Sequence, residues 1–115
     1  MKVPHRDRAW VPVEKIEHYL LAEAHLDGAN KAHFLGQMGF ELRDADMVVD
    51  QLLSVIEREN VVTSVTTVFG RKYVVDGIIE GPVGRNALFR TVWIVPINDE
   101  RPRFVTAYPL SGASI

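Results

Sequence analysis

The stretch Ala87–Val95 constrains the fold of this chain more than any other part of the sequence. It reads Ala-Leu-Phe-Arg-Thr-Val-Trp-Ile-Val and alternates between two faces that are both mostly apolar. β-Branched and aromatic residues dominate both faces, which is typical of an inner strand with a covering layer on each side. Arg90 is the one charge in this stretch. A charge on an inner strand needs an ionic partner or a function.

The residues before this strand carry helical periodicity. Asp44–Glu59 shows it best, because its apolar residues recur three and four positions apart and its first turn is acidic. Shorter patterns predict helices over Glu14–Leu21 and Asn30–Met38, the second ended by Gly39. The first half of the chain is therefore predicted to supply two or three helices.

The residues after Asn60 alternate with a period of two and are rich in valine and threonine. They predict four strands joined by short links, with a tight turn at Gly70-Arg71. The strand bounds are Val61–Phe69, Lys72–Glu80, Ala87–Val95 and Arg103–Tyr108. The prediction is an α+β domain, with two or three N-terminal helices packed on a four-stranded antiparallel β-meander. We expect an arm over residues 1–12, a single domain over 13–109 and a tail over 110–115.

Composition narrows the classes of function. The chain of 115 residues has no cysteine, which excludes disulfides, thiolate metal sites and a cysteine nucleophile. No apolar run is long enough to span a membrane, and the N-terminal residues do not have the pattern of a secretory signal. We therefore expect a cytoplasmic protein without a membrane partner. The four histidines show no metal-like spacing, and no phosphate-binding glycine loop is present. We therefore predict no metal and no cofactor.

A set of polar residues could carry chemistry if the fold brings its members together. His25 and Lys31 flank the start of the second predicted helix, while Arg90 and Thr106 lie on strands. Pairing of the last two strands would bring Arg90 or Thr91 near Thr106, which shares a strand face with Phe104 and Tyr108. A histidine with several cations on one sheet face could cleave RNA without a metal. The candidate catalytic residues are His25, Lys31, Arg90 and Thr106, and the candidate substrate-binding residues are Lys72, Tyr73 and Tyr108.

Each candidate also has an ordinary structural interpretation. A histidine in a turn and a lysine on a helix are usually solvated, and threonine is a good strand former. Arg90 could simply pair with an acid such as Asp76. The net charge of −2 weakens the case for tight RNA binding, because phosphate contacts supply most of that affinity.

Several motifs together resemble a bacterial family catalogued as a domain of unknown function, number 6883. They are Tyr19–Leu21, the His-x-Asp-Gly-x-x-Lys-Ala-x-Phe pattern of His25–Phe34, Gly39-Phe40, and in the second half Phe69–Gly77, Gly81–Arg85, Arg90–Ile94 and Arg103–Pro109. This family is more loosely similar to the toxin ribonucleases of the barnase–EndoU–colicin–RelE class. The resemblance implies helices before an antiparallel sheet and metal-independent RNA cleavage, with His25, Lys31, Arg90 and Thr106 as the matching residues.

Three functions remain in competition. The first is a metal-independent, toxin-like ribonuclease or its inactive relative, whose partners are RNA and an immunity or antitoxin protein. The second is a non-enzymatic interaction module that uses a sheet edge or an apolar patch to bind a partner or form a homodimer. The third is a small-molecule-binding domain with a pocket between the helices and the sheet, near Tyr73 and Trp93.

Overall fold

The chain folds into helices followed by a four-stranded antiparallel sheet in a computed structural model, which describes residues 1–21 and 35–110. In chain order, the elements are α1 Val13–Leu21, α2 Ala45–Arg58, β1 Val61–Thr67, β2 Gly70–Glu80, β3 Asn86–Pro96 and β4 Arg103–Pro109. Short 3-10 helices cover Arg6–Arg8 and Leu42–Asp44. Each strand pairs with the next one along the chain, in the order β1-β2-β3-β4. This confirms the predicted α+β class. The helix predicted over Asn30–Met38 falls mostly outside the described residues.

Helix α2 lies on the sheet through one apolar stripe. Its buried residues recur at helical spacing and are Ala45, Val48, Leu52, Val55 and Ile56. Gly77 of β2 lies directly beneath Val55, and a Cβ at that position would stand 2.8 Å from Val55 Cγ1. The missing side chain therefore lets the helix approach the sheet closely.

Strand β3 is the centre of the core, because it pairs with β2 on one side and with β4 on the other. Its core face carries Phe89, Thr91 and Trp93, all buried. The Thr91 hydroxyl donates a hydrogen bond to the Val75 carbonyl at 2.6 Å and accepts one from Trp93 Nε1 at 2.8 Å. A buried threonine therefore satisfies the buried indole N–H, as an apolar core requires.

A bulge interrupts the pairing of β3 with β4. Val92 pairs with Thr106, but Trp93 pairs with Phe104, so Val105 is the extra residue. A bulge shifts the alternation of the strand that carries it by one position. Phe104 and Ala107 are consequently both buried in the core. The prediction that Thr106 and Tyr108 share a face with Phe104 is therefore wrong. The prediction that Thr106 comes near Arg90 or Thr91 is confirmed, because the register partner of Thr106 is Val92, the residue after Thr91.

The β1–β2 turn lies two residues earlier than predicted. Val68 and Phe69 form it, and Gly70 is already the first residue of β2. Gly70 has a φ of +147°, and a Cβ there would stand 2.2 Å from the Val95 carbonyl oxygen. The glycine is needed where β2 passes close to β3, and the reversal itself is made by the two residues before it.

Residues 1–12 contact the body of the domain at several points. Val3 is fully buried, and the Trp10 N–H donates to the Pro102 carbonyl at 3.0 Å. The Phe104 N–H in turn donates to the Trp10 carbonyl at 3.0 Å, which forms a parallel bridge beside β4. Trp10 therefore docks at the start of the last strand. The boundaries at residues 12 and 109 remain predictions.

Candidate functional site

The face of the sheet opposite α1 and α2 is the candidate site, and we call it the outer face. On β3 it carries Leu88, Arg90 and Val92, which are each half-exposed. The helices pack against the other face, where Ile16 of α1 and Leu52 of α2 join the core. Among residues 1–21 and 35–110, no helix covers the outer face, and the expectation of a strand covered on both sides stays a prediction. The partly exposed side chains of this face are therefore candidates for contact with a ligand.

A cross-strand row of three polar residues lies on the outer face. The register places Asp76 of β2 opposite Arg90 of β3, and Arg90 opposite Tyr108 of β4. Arg90 Nε donates to Asp76 Oδ1 and Arg90 Nη2 donates to Asp76 Oδ2, both at 2.9 Å. The alternative interpretation of Arg90, in which it pairs with Asp76, is therefore confirmed. The side chains of Arg90 and Asp76 are 34% and 21% exposed, so the pair is reached from solvent.

The pairing fixes both the charge and the orientation of the Arg90 guanidinium. Hydrogen bonding and charge attraction from Asp76 hold the pKa of Arg90 above its usual range, and Tyr108 adds to the same effect. Arg90 therefore stays cationic at every pH at which proteins are handled. Two of its five N–H groups go to Asp76, and the planar fork keeps further donors for a carboxylate or a phosphate. Asp76 acts as a clamp that sets the direction of those donors.

Thr106 lies in the row next to Arg90, because its partner on β3 is Val92. Its hydroxyl is 3.4 Å from the Tyr19 hydroxyl of α1. On the same strand, Lys15 Nζ of α1 donates to the carbonyl of the bulged Val105 at 2.5 Å. Helix α1 thus reaches β4 where the bulge opens the strand. The structure brings Arg90, Thr106 and Tyr108 onto adjacent positions of two paired strands.

The candidate substrate-binding residues Lys72 and Tyr73 point to opposite faces. Tyr73 is only 6% exposed and belongs to the core cluster. Lys72 is half-exposed and lies on the outer face, in a row with Ile94 and Arg103. Lys72 and Tyr108 therefore share the open face of the sheet, and Tyr73 does not.

Two of the four candidate catalytic residues, His25 and Lys31, lie outside the described residues. Their convergence on Arg90 remains a prediction. Within residues 1–21 and 35–110, no group of three histidine, aspartate or glutamate residues could hold a metal ion. Sequence reasoning did not find Phe69 and Arg103, which lie beside Lys72 at one end of the outer face.

A cavity lies between the helices and the core face of the sheet. It encloses about 20 Å³ and is lined by Tyr19 and by apolar side chains. That volume is close to the space of one water molecule. A pocket for an organic ligand needs roughly 300 Å³ or more. This cavity therefore does not accommodate the ligand that the small-molecule hypothesis requires.

Comparisons with known proteins agree with this architecture. The chain is similar in structure to a chain of the "Contact-dependent growth inhibition toxin - immunity protein complex from Klebsiella pneumoniae 342", with a TM-score of 0.74 and 19% sequence identity. The match covers 94% of this chain and 98% of that one, so the two share a fold over their whole lengths. No protein of curated function matches significantly. In the described parts of the chain, no helix has the length and apolarity needed to cross a membrane. A family model matches residues 2–111, and the chain accordingly belongs to the family described as Domain of unknown function (DUF6883).

Proposed function

We propose that this domain is a toxin-like ribonuclease that cleaves RNA without a metal ion on the outer face of its sheet. The observation that carries the proposal is the Arg90 guanidinium, clamped by Asp76 through two 2.9 Å hydrogen bonds on a sheet face that no described helix covers. Fixed donors aimed at a phosphate are what phosphodiester cleavage requires, because negative charge accumulates on the phosphate oxygens in the transition state. We expect the reaction in the cytoplasm, where RNA substrates are abundant.

The reaction needs few groups. A base takes the proton of the 2′-hydroxyl, the 2′-oxygen forms a bond to phosphorus, and the bond from phosphorus to the 5′-oxygen breaks. The departing 5′-oxygen takes up a proton, which leaves a 2′,3′-cyclic phosphate and a 5′-hydroxyl. Histidine suits the base because its pKa lies near neutrality, and His25 is the proposed base. Arg90 and Lys31 would stabilise the phosphate charge, and the Thr106 hydroxyl would donate to a phosphate oxygen.

A chain of a toxin–immunity complex shares this fold, which is compatible with a toxin-like role. Fold alone does not fix an activity. We infer an immunity or antitoxin protein as the protein partner, and its binding surface should be acidic. Such a partner would block the outer face by pairing its carboxylates with Lys72, Arg90 and Arg103.

The test is cleavage of total RNA by the purified chain in the presence of a chelator. We expect fragments with cyclic phosphate ends, and a rate lowered about 100-fold or more in His25→Ala. His5→Ala is the matched control, because the His5 side chain is 47% exposed, lies near Glu100 and is not part of the row formed by Asp76, Arg90 and Tyr108. Circular dichroism must show that each variant is folded. Absence of cleavage by the wild-type chain, or full activity in folded His25→Ala, would refute the proposal.

The competing function, a non-enzymatic interaction module, is favoured by the exposed edge of β1. Val62 and Val65 are 52% and 56% exposed, and residues 60–70 contain no charge that would discourage pairing with another strand. A homodimer through this edge would appear as a doubled mass in light scattering at high protein concentration. A Thr66→Lys substitution on the same strand should then restore the monomer.

A further inference from the structure

One end of the outer face forms an open groove between the β1–β2 turn and the start of β4. Its volume is about 430 Å³, and we call it the basic groove. It is lined by Phe69, Lys72, Ile94, Pro96, Arg103 and Val105. The lining combines two cations with an apolar floor and contains no carboxylate, so its chemistry suits a ligand that is both anionic and apolar.

The two cations stand on either side of β3. Lys72 and Arg103 are both register partners of Ile94, one from β2 and the other from β4. Their backbones are therefore two strand spacings apart, or about 10 Å. Neither forms an ion pair with a carboxylate of residues 1–21 or 35–110. Two unpaired cations at this spacing can receive the phosphates of one extended nucleotide strand.

The apolar part of the groove consists of an exposed aromatic ring on a held backbone and a buried floor. Phe69 is 75% exposed, although its backbone is held on both sides. Its N–H donates to Thr67 Oγ1 at 3.2 Å, and its carbonyl accepts from the Ile97 N–H at 3.3 Å. Ile94 is only 5% exposed but lies outside the core cluster, which places it beneath the groove. An exposed ring on a fixed backbone is a platform on which a planar base can stack.

The position of the groove relative to Arg90 links it to the proposed reaction. Lys72 and Asp76 are four residues apart on β2, which is about 13 Å along the strand. A short piece of single-stranded RNA can span that distance when its bases are unstacked. We propose that the basic groove is a subsite for a nucleotide flanking the cleaved bond, with its base on Phe69 and its phosphates on Lys72 and Arg103. This inference rests on the proposed ribonuclease function.

The test measures binding of a short, fluorescein-labelled 2′-O-methyl RNA oligonucleotide, which cannot be cleaved because its 2′-oxygens are blocked. Phe69→Ala should weaken binding about tenfold, as the loss of one stacked base predicts. The double variant Lys72→Gln/Arg103→Gln should lower the salt dependence of log affinity by about 1.4, since single strands release about 0.7 counterions per phosphate contact. Phe69→Ala should leave that salt dependence unchanged, because the ring carries no charge.

Two control variants make comparable substitutions at residues that do not line the basic groove. Val68→Ala alters the other turn residue, which is 80% exposed and does not line the groove. Arg43→Gln removes a cation that is 81% exposed and bonded to Glu41 in the 3-10 helix before α2. Both controls should bind the oligonucleotide as the wild type does. Equal losses in the controls would mean that only bulk charge or turn structure matters, and would overturn the subsite.

The outcomes separate the subsite from the reaction. If the wild type cleaves RNA but the groove variants bind the oligonucleotide normally, the subsite is wrong and the ribonuclease stands. If the groove variants lose binding but the wild type cleaves nothing, the ribonuclease is wrong and the groove remains a single-strand binding site. If the wild type does not bind the oligonucleotide but binds an acidic protein through these residues, the groove is a protein interface and the inference fails.

Discussion

The hydrogen bonds of Thr91 offer the sharpest test of how the central strand is held. Thr91→Val replaces the hydroxyl with a methyl group of nearly the same size and leaves the backbone free to pair as before. Thr91 is fully buried, and so is Trp93, whose indole N–H would then face a methyl group. Among the described residues, the structure shows no buried side-chain nitrogen or oxygen without a partner. The substitution would therefore create a defect that the described core otherwise avoids.

The expected loss of stability follows from two opposed effects. An unpaired buried donor costs about 1–3 kcal/mol, and the lost bond to the Val75 carbonyl adds about 1 kcal/mol. The added methyl group recovers about 0.8 kcal/mol by burial. The net effect is a decrease of about 2 kcal/mol in the free energy of unfolding. For a domain of this length, that corresponds to a fall in Tm of about 8 °C.

Urea unfolding followed by tryptophan fluorescence and circular dichroism would measure the change, with Thr66→Val on the exposed strand β1 as the control. The control should shift stability by no more than about 0.5 kcal/mol. Trp93→Phe removes the indole N–H, so adding Thr91→Val in that background should cost about 1 kcal/mol less than it does in the wild type. Equal costs in the two backgrounds would show that the Thr91–Trp93 bond does not hold the core, and the reasoning would fail.

Three further predictions concern the outer face, the helix–sheet contact and the reaction conditions. In steady-state kinetics, Asp76→Asn should lower the turnover number of RNA cleavage by a larger factor than it raises KM, while the fold is kept. The swapped pair Asp76→Arg/Arg90→Asp should restore the ion pair and with it the thermal stability of the domain, but not the cleavage activity. Gly77→Ala should lower the free energy of unfolding by about 1–3 kcal/mol because its Cβ would stand 2.8 Å from Val55, whereas Gly36→Ala, with nothing within 4 Å of its Cβ, should not lower it. Chelators should leave cleavage unchanged, and its rate should rise between about pH 5 and 8 with the deprotonation of one imidazole, because the arginine stays charged throughout.

The elements with the strongest periodicity could be predicted from the sequence. Helix α2 buries the apolar residues that recur three and four apart, and β3 is the central strand its alternation indicates. The bulge at Val105 could not be read in the same way. Alternation gives the two faces of a strand only while the register is regular, and one extra residue reverses it. The error in the faces of Thr106 and Tyr108 comes from that single residue.

The position of the β1–β2 turn was predicted wrongly from the turn residues, and for a different reason. Gly70 was expected to make the turn, because glycine is the commonest residue of tight reversals. In the structure, Gly70 is required by a neighbour distant in sequence, the Val95 carbonyl. A close approach between two strands is not visible in the residues next to the glycine. The same limit hid Phe69, which the true turn position places at the edge of the basic groove.

Part of the candidate site could be predicted from the sequence, because a hairpin places residues at known positions along two strands opposite each other. Asp76 and Arg90 are partners across the β2–β3 hairpin, so an acid opposite a strand arginine could be named before the fold was known. Arg103 was harder to assign. It joins Lys72 only through the intervening Ile94, and its register depends on the bulge in β4. A site that spans three strands depends on the register of two strand pairings, and an error in either one misplaces its residues.

The distribution of charge removes the main objection to an RNA ligand. Residues 1–60, which hold both helices, contain seven lysines and arginines against eleven acids and carry a net charge of −4. Residues 61–115, which form the sheet, contain six against four and carry +2. Charges of opposite sign in the two halves of the sequence favour the approach of a polyanion to the second half, which contains the sheet. The overall charge of −2 therefore understates the attraction at the end of the outer face that holds Lys72, Arg90 and Arg103, because the carboxylates of this face lie at Asp76 and, further along β2, at Glu80. An acidic partner protein would be drawn to the same face, so RNA and an immunity protein should compete for it, and the competition should weaken for both as salt is added.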